Sequence, residues 1–350
     1  MSVEVKSVSH EYVEHRLKII GYEQKYALGF VIQLLLSMLT GGFKRRRIKV
    51  LDGVDLFIDR GEFLGLIGVN GSGKTTLLKI IGGLLTPTSG DVIVNGFSMV
   101  SEEDVARRYV MYIPGALVGG AIISPFFTVR LALKKIFELY GIPVSRVDEA
   151  LKIAKLESFS DRRILSLSSG LAARLMLASA LFSDAEVFLF DEPVVGISAE
   201  AVQSFYDFIR DKLWRERDST IIYATNNLNE VQRLCRRIAI LHGGKIVTSG
   251  SLYDLVRGIG LKEVVEIRFY GISSLDEVKL LLDDLAEKYE VDNLGGDYYQ
   301  LKIIASRAED VLPLLIERLV RMGGRILSVK VRDISLEEVF IHYVGKGGVG

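Results

Sequence analysis

Residues 68–75 read Gly68-Val69-Asn70-Gly71-Ser72-Gly73-Lys74-Thr75, the pattern G-x-x-x-x-G-K-[ST]. No other stretch limits the fold of this chain as tightly. The apolar run 63–68 precedes it, and residues 75–84 have helical spacing. A buried strand, a glycine loop and a helix in this order belong to an α/β layer. The glycines let the backbone wrap an anion with its N–H groups pointing inward, and the helix offers its positive end. Residues Gly68, Val69, Asn70, Gly71, Ser72, Gly73, Lys74, Thr75 and Thr76 are therefore candidate phosphate contacts. Lys74 is expected to reach the β- and γ-phosphates of a nucleotide, and the Thr75 hydroxyl to ligate Mg2+. The chain holds 34 glycines in 350 residues, about 10% against roughly 7% in average usage. Loops of this kind explain part of that surplus.

Residues 187–192 read VFLFDE. An apolar strand here delivers two carboxylates at its C-terminal end, where α/β ligand sites lie. Asp191 is expected to hold Mg2+ through water, and Glu192 to polarise an attacking water. Other strands are expected at 1–12, 50–58, 220–224 and 238–241, with a mainly helical stretch at about 126–185. After residue 261 the pattern restarts as strand, helix, two strands, helix, strand and a last helix, a ferredoxin-like order.

Composition excludes several classes. Lys+Arg 44 balance Asp+Glu 44, so the chain lacks the basic surplus that coats nucleic acid, and no nucleic-acid partner is expected. The single cysteine, Cys235, excludes an internal disulfide framework and a multi-cysteine metal site. It is expected to serve packing. His242, beside Gly243-Gly244, is expected to face solvent. The first residues lack a signal-peptide core. The longest apolar run, residues 27–39, falls short of the roughly 18 residues a spanning helix needs. Yet mean hydropathy is +0.29, which points to a chain that leans on something apolar.

Three segments stand in a recognisable order: GVNGSGKTT, LSLSSGLAARL and VFLFDEP. Together they resemble the ATP-binding subunit of an ABC transporter, over about residues 1–252. The resemblance implies an α/β P-loop NTPase fold of the ABC type with a helical subdomain. An accessory α+β ferredoxin-like domain at 263–350 follows a linker at 253–262. It implies ATP and Mg2+ as cofactors and ATP hydrolysis coupled to transport. In that family two subunits sandwich two ATPs. Ser168, Ser169 and Gly170 would then contact the γ-phosphate held by the opposite subunit's loop. Read alone, LSSGL is a helix N-cap. An aromatic residue under adenine falls at Tyr12, before an insert at 13–49.

The family pattern fails at three places. Its usual glutamine is replaced by Gly115 or Ala116, its aspartate after the glutamate by Ser198, and its switch histidine by Asn226. Asparagine donates a hydrogen bond but carries no proton. Loss of a positioned acid–base group costs about 10²–10⁴ in rate. The expectation is firm MgATP binding with slow hydrolysis, Glu192 and Asn226 being the catalytic candidates. Such a chain works as a homodimer or beside a complete second ATPase subunit. The resemblance also implies membrane-spanning permease subunits as partners and a cytoplasmic site at the inner face of the membrane. Segment 116–127 is the candidate contact with a coupling helix, and 27–39, followed by basic residues 44–47, suits lipid, its own domain or the membrane subunit. The ending ISLEEVF resembles daunorubicin-resistance-type exporters, and the insert those and polysaccharide exporters. Two alternatives stand beside transport. One is a nucleotide-binding regulator without useful hydrolysis. The other is a non-transport ABC ATPase acting on DNA or ribosomes, which a single phosphate loop without heptads disfavours.

Overall fold

The structure, a computed structural model, describes residues 2–17, 43–115, 124–260, 263–272, 276, 282 and 288–345. The chain divides into two compact units, Met1–Val247 and Thr248–Gly350. Among the described residues no helix is long and apolar enough to cross a membrane. The segments 27–39 and 116–123 lie outside the described residues.

The first unit is built on two sheets. A six-stranded sheet runs in the order β10-β9-β3-β8-β7-β6. Its strands are β3 (Phe63–Ile67), β6 (Val110–Pro114), β7 (Val187–Asp191), β8 (Thr220–Thr225), β9 (Arg237–His242) and β10 (Lys245–Gly250). β3 pairs with β8 and β9, and β7 with β6 and β8, all in parallel. Val187, Phe188, Leu189 and Phe190 are fully buried, as a central parallel strand covered on both faces requires. Helix α1 (Lys74–Ile81) buries Leu77, Leu78, Ile80 and Ile81. They share one apolar cluster with Val3, Val5, Val92 and Val94 of a second, antiparallel sheet. That sheet orders β2-β1-β4-β5, with β1 Val3–Leu17, β2 Phe43–Ile58, β4 Ser89–Val94 and β5 Phe97–Ser98. On the other side Phe188, Phe190 and Tyr223 join a cluster with helices at Val129–Leu139, Val147–Ile153 and Ser169–Phe182.

β1 and β2 run beyond the limits read from sequence, into the expected insert. Their antiparallel ladder continues from Val13↔Arg47 to Leu17↔Phe43. Oppositely charged neighbours favour it: Glu11 stands across from Lys49 and pairs with Arg47 at 3.7 Å. His242 is half-buried. It closes β9 with Nδ1 buried and unpartnered, because the strand turns only after it.

The second unit contains a four-stranded sheet in the order β12-β13-β11-β14. These strands are Lys288–Gly295, Tyr298–Ala305, Glu263–Tyr270 and Arg325–Asp333. All neighbouring pairs are antiparallel. A helix at Ala308–Arg321 packs Leu315 and Leu319 against Val265, Ile267 and Leu301. This is the strand order of a ferredoxin-like βαββαβ unit. Within the segment read as a linker, Leu252–Gly258 is a helix, closed at its start by a reciprocal capping box between Ser251 and Asp254.

Candidate functional site

Parallel register builds the site. Pro114, Asp191 and Ala224 are aligned across β6, β7 and β8. The next residue on each strand, Gly115, Glu192 and Thr225, therefore meets the others at the C-terminal edge. Gly115 donates its N–H to the Asp191 carbonyl at 2.7 Å, and Glu192 its N–H to the Ala224 carbonyl at 2.9 Å. The Thr225 hydroxyl donates to Glu192 Oε2 at 3.2 Å. Ile67 is aligned with Thr225, so the chain leaving β3 enters the phosphate loop beside Asn226. Asn226 Nδ2 then donates to Asn70 Oδ1 at 3.2 Å.

The loop itself turns through Gly71 at φ +78° and Gly73 at φ +108°, conformations open to glycine. Ser72 N–H closes a turn onto the Val69 carbonyl at 3.1 Å, and Leu77 N–H makes the first helical bond to the Gly73 carbonyl at 2.9 Å. Gly68 has no room for a side chain: a Cβ would lie 2.3 Å from the Leu241 carbonyl oxygen. Lys74 folds back into the loop, donating to the Gly68 carbonyl at 2.6 Å, with Glu192 Oε1 at 3.8 Å. Burial pushes the Lys74 ammonium down, against the pull of Glu192 and Asp191. Burial also pushes the Glu192 carboxyl up, against Lys74 and Thr225. The Ser72 hydroxyl is buried without a hydrogen-bond partner. An unpaired buried hydroxyl beside a curled lysine fits a loop shaped for an anion.

Thr75 Oγ1 donates to Asp191 Oδ1 at 3.1 Å. This hydroxyl and carboxylate are the oxygen ligands a hard cation such as Mg2+ takes. Tyr112, fully inside β6, donates its hydroxyl to Asp191 Oδ2 at 2.7 Å. Burial and the adjacent carboxylate push its phenol far above the ordinary range, so it stays a donor. Tyr12, 42% exposed, bonds Thr76 through the two hydroxyls at 3.3 Å, and its ring meets the His10 ring edge-on at 4.7 Å.

The phosphate loop, Asp191, Glu192, Asn226 and Tyr12 thus form one neighbourhood. Ser168, Ser169 and Gly170 form another. They line a groove of about 720 Å³ with Arg174, Gly196 and Ser198. Among the described residues no hydrogen bond joins them to the phosphate loop. The Ser168 hydroxyl caps the helix Ser169–Phe182 by accepting from Leu171 N–H at 3.4 Å. Ser169 donates to the Gly196 carbonyl. Sequence reasoning overlooked Tyr112 and Thr225. The signal was present as a phenol in the middle of one buried strand and a hydroxyl at the end of another.

Comparison with known proteins gives a consistent result. Residues 51–195 match the family model described as ABC transporter. The Nod factor export ATP-binding protein I of Rhizobium etli is 31% identical over 301 residues, covering 85% of this chain and 89% of the relative. The ABC transporter ATP-binding protein NatA of Bacillus subtilis is 31% identical over 217 residues, covering 61% and 86%. Among solved structures, an ATP-binding subunit of an ABC transporter aligns with a TM-score of 0.56 and 25% identity, covering 74% of this chain and 94% of its own. A dimeric ATP-binding cassette bound to ADP and Pi aligns with a TM-score of 0.54 and 25% identity, covering 71% and 98%. The α/β unit around the phosphate loop has the fold of an ABC ATPase, and the chain belongs to the ATP-binding proteins of the ABC transporter family.

Proposed function

We propose that this chain is the ATP-binding subunit of an ABC exporter, docking at the cytoplasmic face of a membrane under separate spanning subunits. One observation carries the reading. Lys74, Thr75, Asp191 and Glu192 converge at one strand edge, while Ser168 and Gly170 sit in a separate groove. A site divided in this way would be completed by a second ATPase subunit, and a structural neighbour bound to ADP and Pi is a dimer. The names of the export relatives support the direction of transport.

In this reading Lys74 releases the Gly68 carbonyl and turns to the β- and γ-phosphates, and Ser72 gains its missing partner. Thr75 and Asp191 would hold Mg2+, which would supply charge neutralisation at the phosphates. Glu192, raised by burial, accepts a proton from the attacking water. Tyr12 stacks under adenine. The groove at Ser168, Ser169 and Gly170 serves the opposite subunit's γ-phosphate through the helix N-terminus. Asn226 supplies a hydrogen bond where the family has a histidine, so hydrolysis is slow and the bound ATP long-lived. A homodimer is the simplest assembly, and pairing with a complete ATPase subunit is the alternative.

The test is nucleotide-driven dimerisation. Light scattering of the Glu192→Gln chain with MgATP should give twice the monomer mass, and Lys74→Ala should abolish the shift. A chain that stays monomeric with MgATP and gains no mass beside any co-expressed ATPase subunit refutes the divided site.

A further inference from the structure

Asp191 is held on both sides. Its Oδ1 accepts from Thr75 at 3.1 Å, and its Oδ2 accepts from Tyr112 at 2.7 Å. Its backbone carbonyl is fixed by Gly115 N–H at 2.7 Å. The Tyr112 contact follows from register. Tyr112 is aligned with Leu189, two residues before Asp191. Two residues of strand span about 6.6 Å, the length a phenol ring and its hydroxyl cover. Tyr112 is only 4% exposed. Its backbone is pinned in turn by Tyr140, whose hydroxyl lies 3.3 Å from Tyr112 N and 3.2 Å from Tyr112 O. A phenol has one proton to give, and here it goes to Asp191.

We propose that Tyr112 is a positioning residue for the cation site. By occupying Oδ2 it keeps Oδ1 turned toward Thr75, the side on which a shared Mg2+ is held. The inference rests on the MgATP reading of the site given above. Hydrogen-bond partners of metal-ligating carboxylates are typically worth 10–100-fold in metal affinity. Asp191 acting through water places Tyr112 at the low end, about tenfold.

Nucleotide binding, read with a fluorescent ATP analogue, separates the parts. It is measured in EDTA and across a Mg2+ titration, with Mn2+ occupancy followed by electron paramagnetic resonance in the presence of ATP. Tyr112→Phe should keep its affinity in EDTA within about twofold and need about tenfold more Mg2+ or Mn2+ for half-saturation. The unchanged affinity in EDTA also certifies that the variant is folded. Tyr140→Phe, which loosens the same packing without touching Asp191, should leave the cation midpoint where it is. A Tyr112→Phe midpoint equal to the parent overturns the inference, as does an equal shift in Tyr140→Phe. A parent chain that gains nothing from Mg2+ over EDTA overturns the underlying MgATP reading.

Discussion

Gly115 is the position where a single methyl should do the most damage. A Cβ built there falls 1.9 Å from the Glu192 carbonyl oxygen, 2.6 Å from its carbonyl carbon and 2.8 Å from the Asp191 oxygen. Side chains essentially never come within 3.0 Å, so the two strand ends must part by about 1.1 Å. All three opposing atoms are backbone, and no flexible side chain can absorb the movement. The Gly115 N–H···Asp191 bond at 2.7 Å is lost as well. Overpacking of this kind costs about 1–3 kcal/mol, and the lost bond about 1 kcal/mol. For a unit of this size each kcal/mol lowers the midpoint by roughly 2–4 °C. Function should suffer more, since Asp191 and Glu192 are the residues displaced. Misplacement by about 1 Å costs on the order of 10²-fold in rate. Gly115→Ala should therefore lower Tm by about 4–16 °C and ATP turnover by about two orders of magnitude. Gly82→Ala, whose nearest opposing atom lies at 3.3 Å, is the matched control. Gly115→Ala with the parent's Tm and turnover would refute the reasoning.

Further outcomes follow from other residues. Asn226→His should raise turnover by about 10²-fold at neutral pH, and no rise would show that Asn226 does not limit turnover. Ser168→Asp keeps a good N-cap for its helix and sets a carboxylate against phosphate. Its Tm should hold while turnover with a second subunit collapses. In the second unit, burial pushes Glu338 up, but bonds from Arg332, Lys302 and Ser335 outweigh it and hold the carboxyl at about 2. A depressed carboxyl contributes its stability above the unfolded value near 4.5 and loses it as pH falls toward 2. With Arg332 partly exposed, the contribution is about 2 kcal/mol. Glu338→Gln should lose that amount in denaturant unfolding at pH 7 and flatten the stability slope between pH 4.5 and 2.

The phosphate loop, the DE pair and the ferredoxin-like strand order were legible because each is local. Glycine spacing, an uninterrupted apolar run and alternating periods are properties of neighbouring residues. The contacts that finish the site were not, because they depend on register between strands far apart in sequence. Nothing in YIPG announces that Pro114 will align with Asp191, or that Tyr112 will reach a carboxylate 79 residues later. The helix at Leu252–Gly258 was legible in Ser251 and Asp254, a cap signal present in the sequence. The extended β1–β2 ribbon was hidden by charge: cross-strand Glu and Arg look like an exposed insert until the ladder aligns them.

The register also links two features that look separate in the sequence. Glu192 has φ +50°, the left-handed region that costs a side-chain-bearing residue about 1–2 kcal/mol. In that pose its carboxylate meets Thr225 and approaches Lys74, while its carbonyl fills the space a side chain at 115 would enter. The glycine at 115 and the pose of the glutamate are therefore one structural choice. Gly115→Gln cannot restore the family pattern, since its Cβ meets the same carbonyl before the amide reaches any phosphate. A variant meant to restore it must first release Glu192 from its left-handed turn. Gly115→Gln should accordingly behave like Gly115→Ala in turnover and in Tm, and a gain in turnover would show that the two positions are independent.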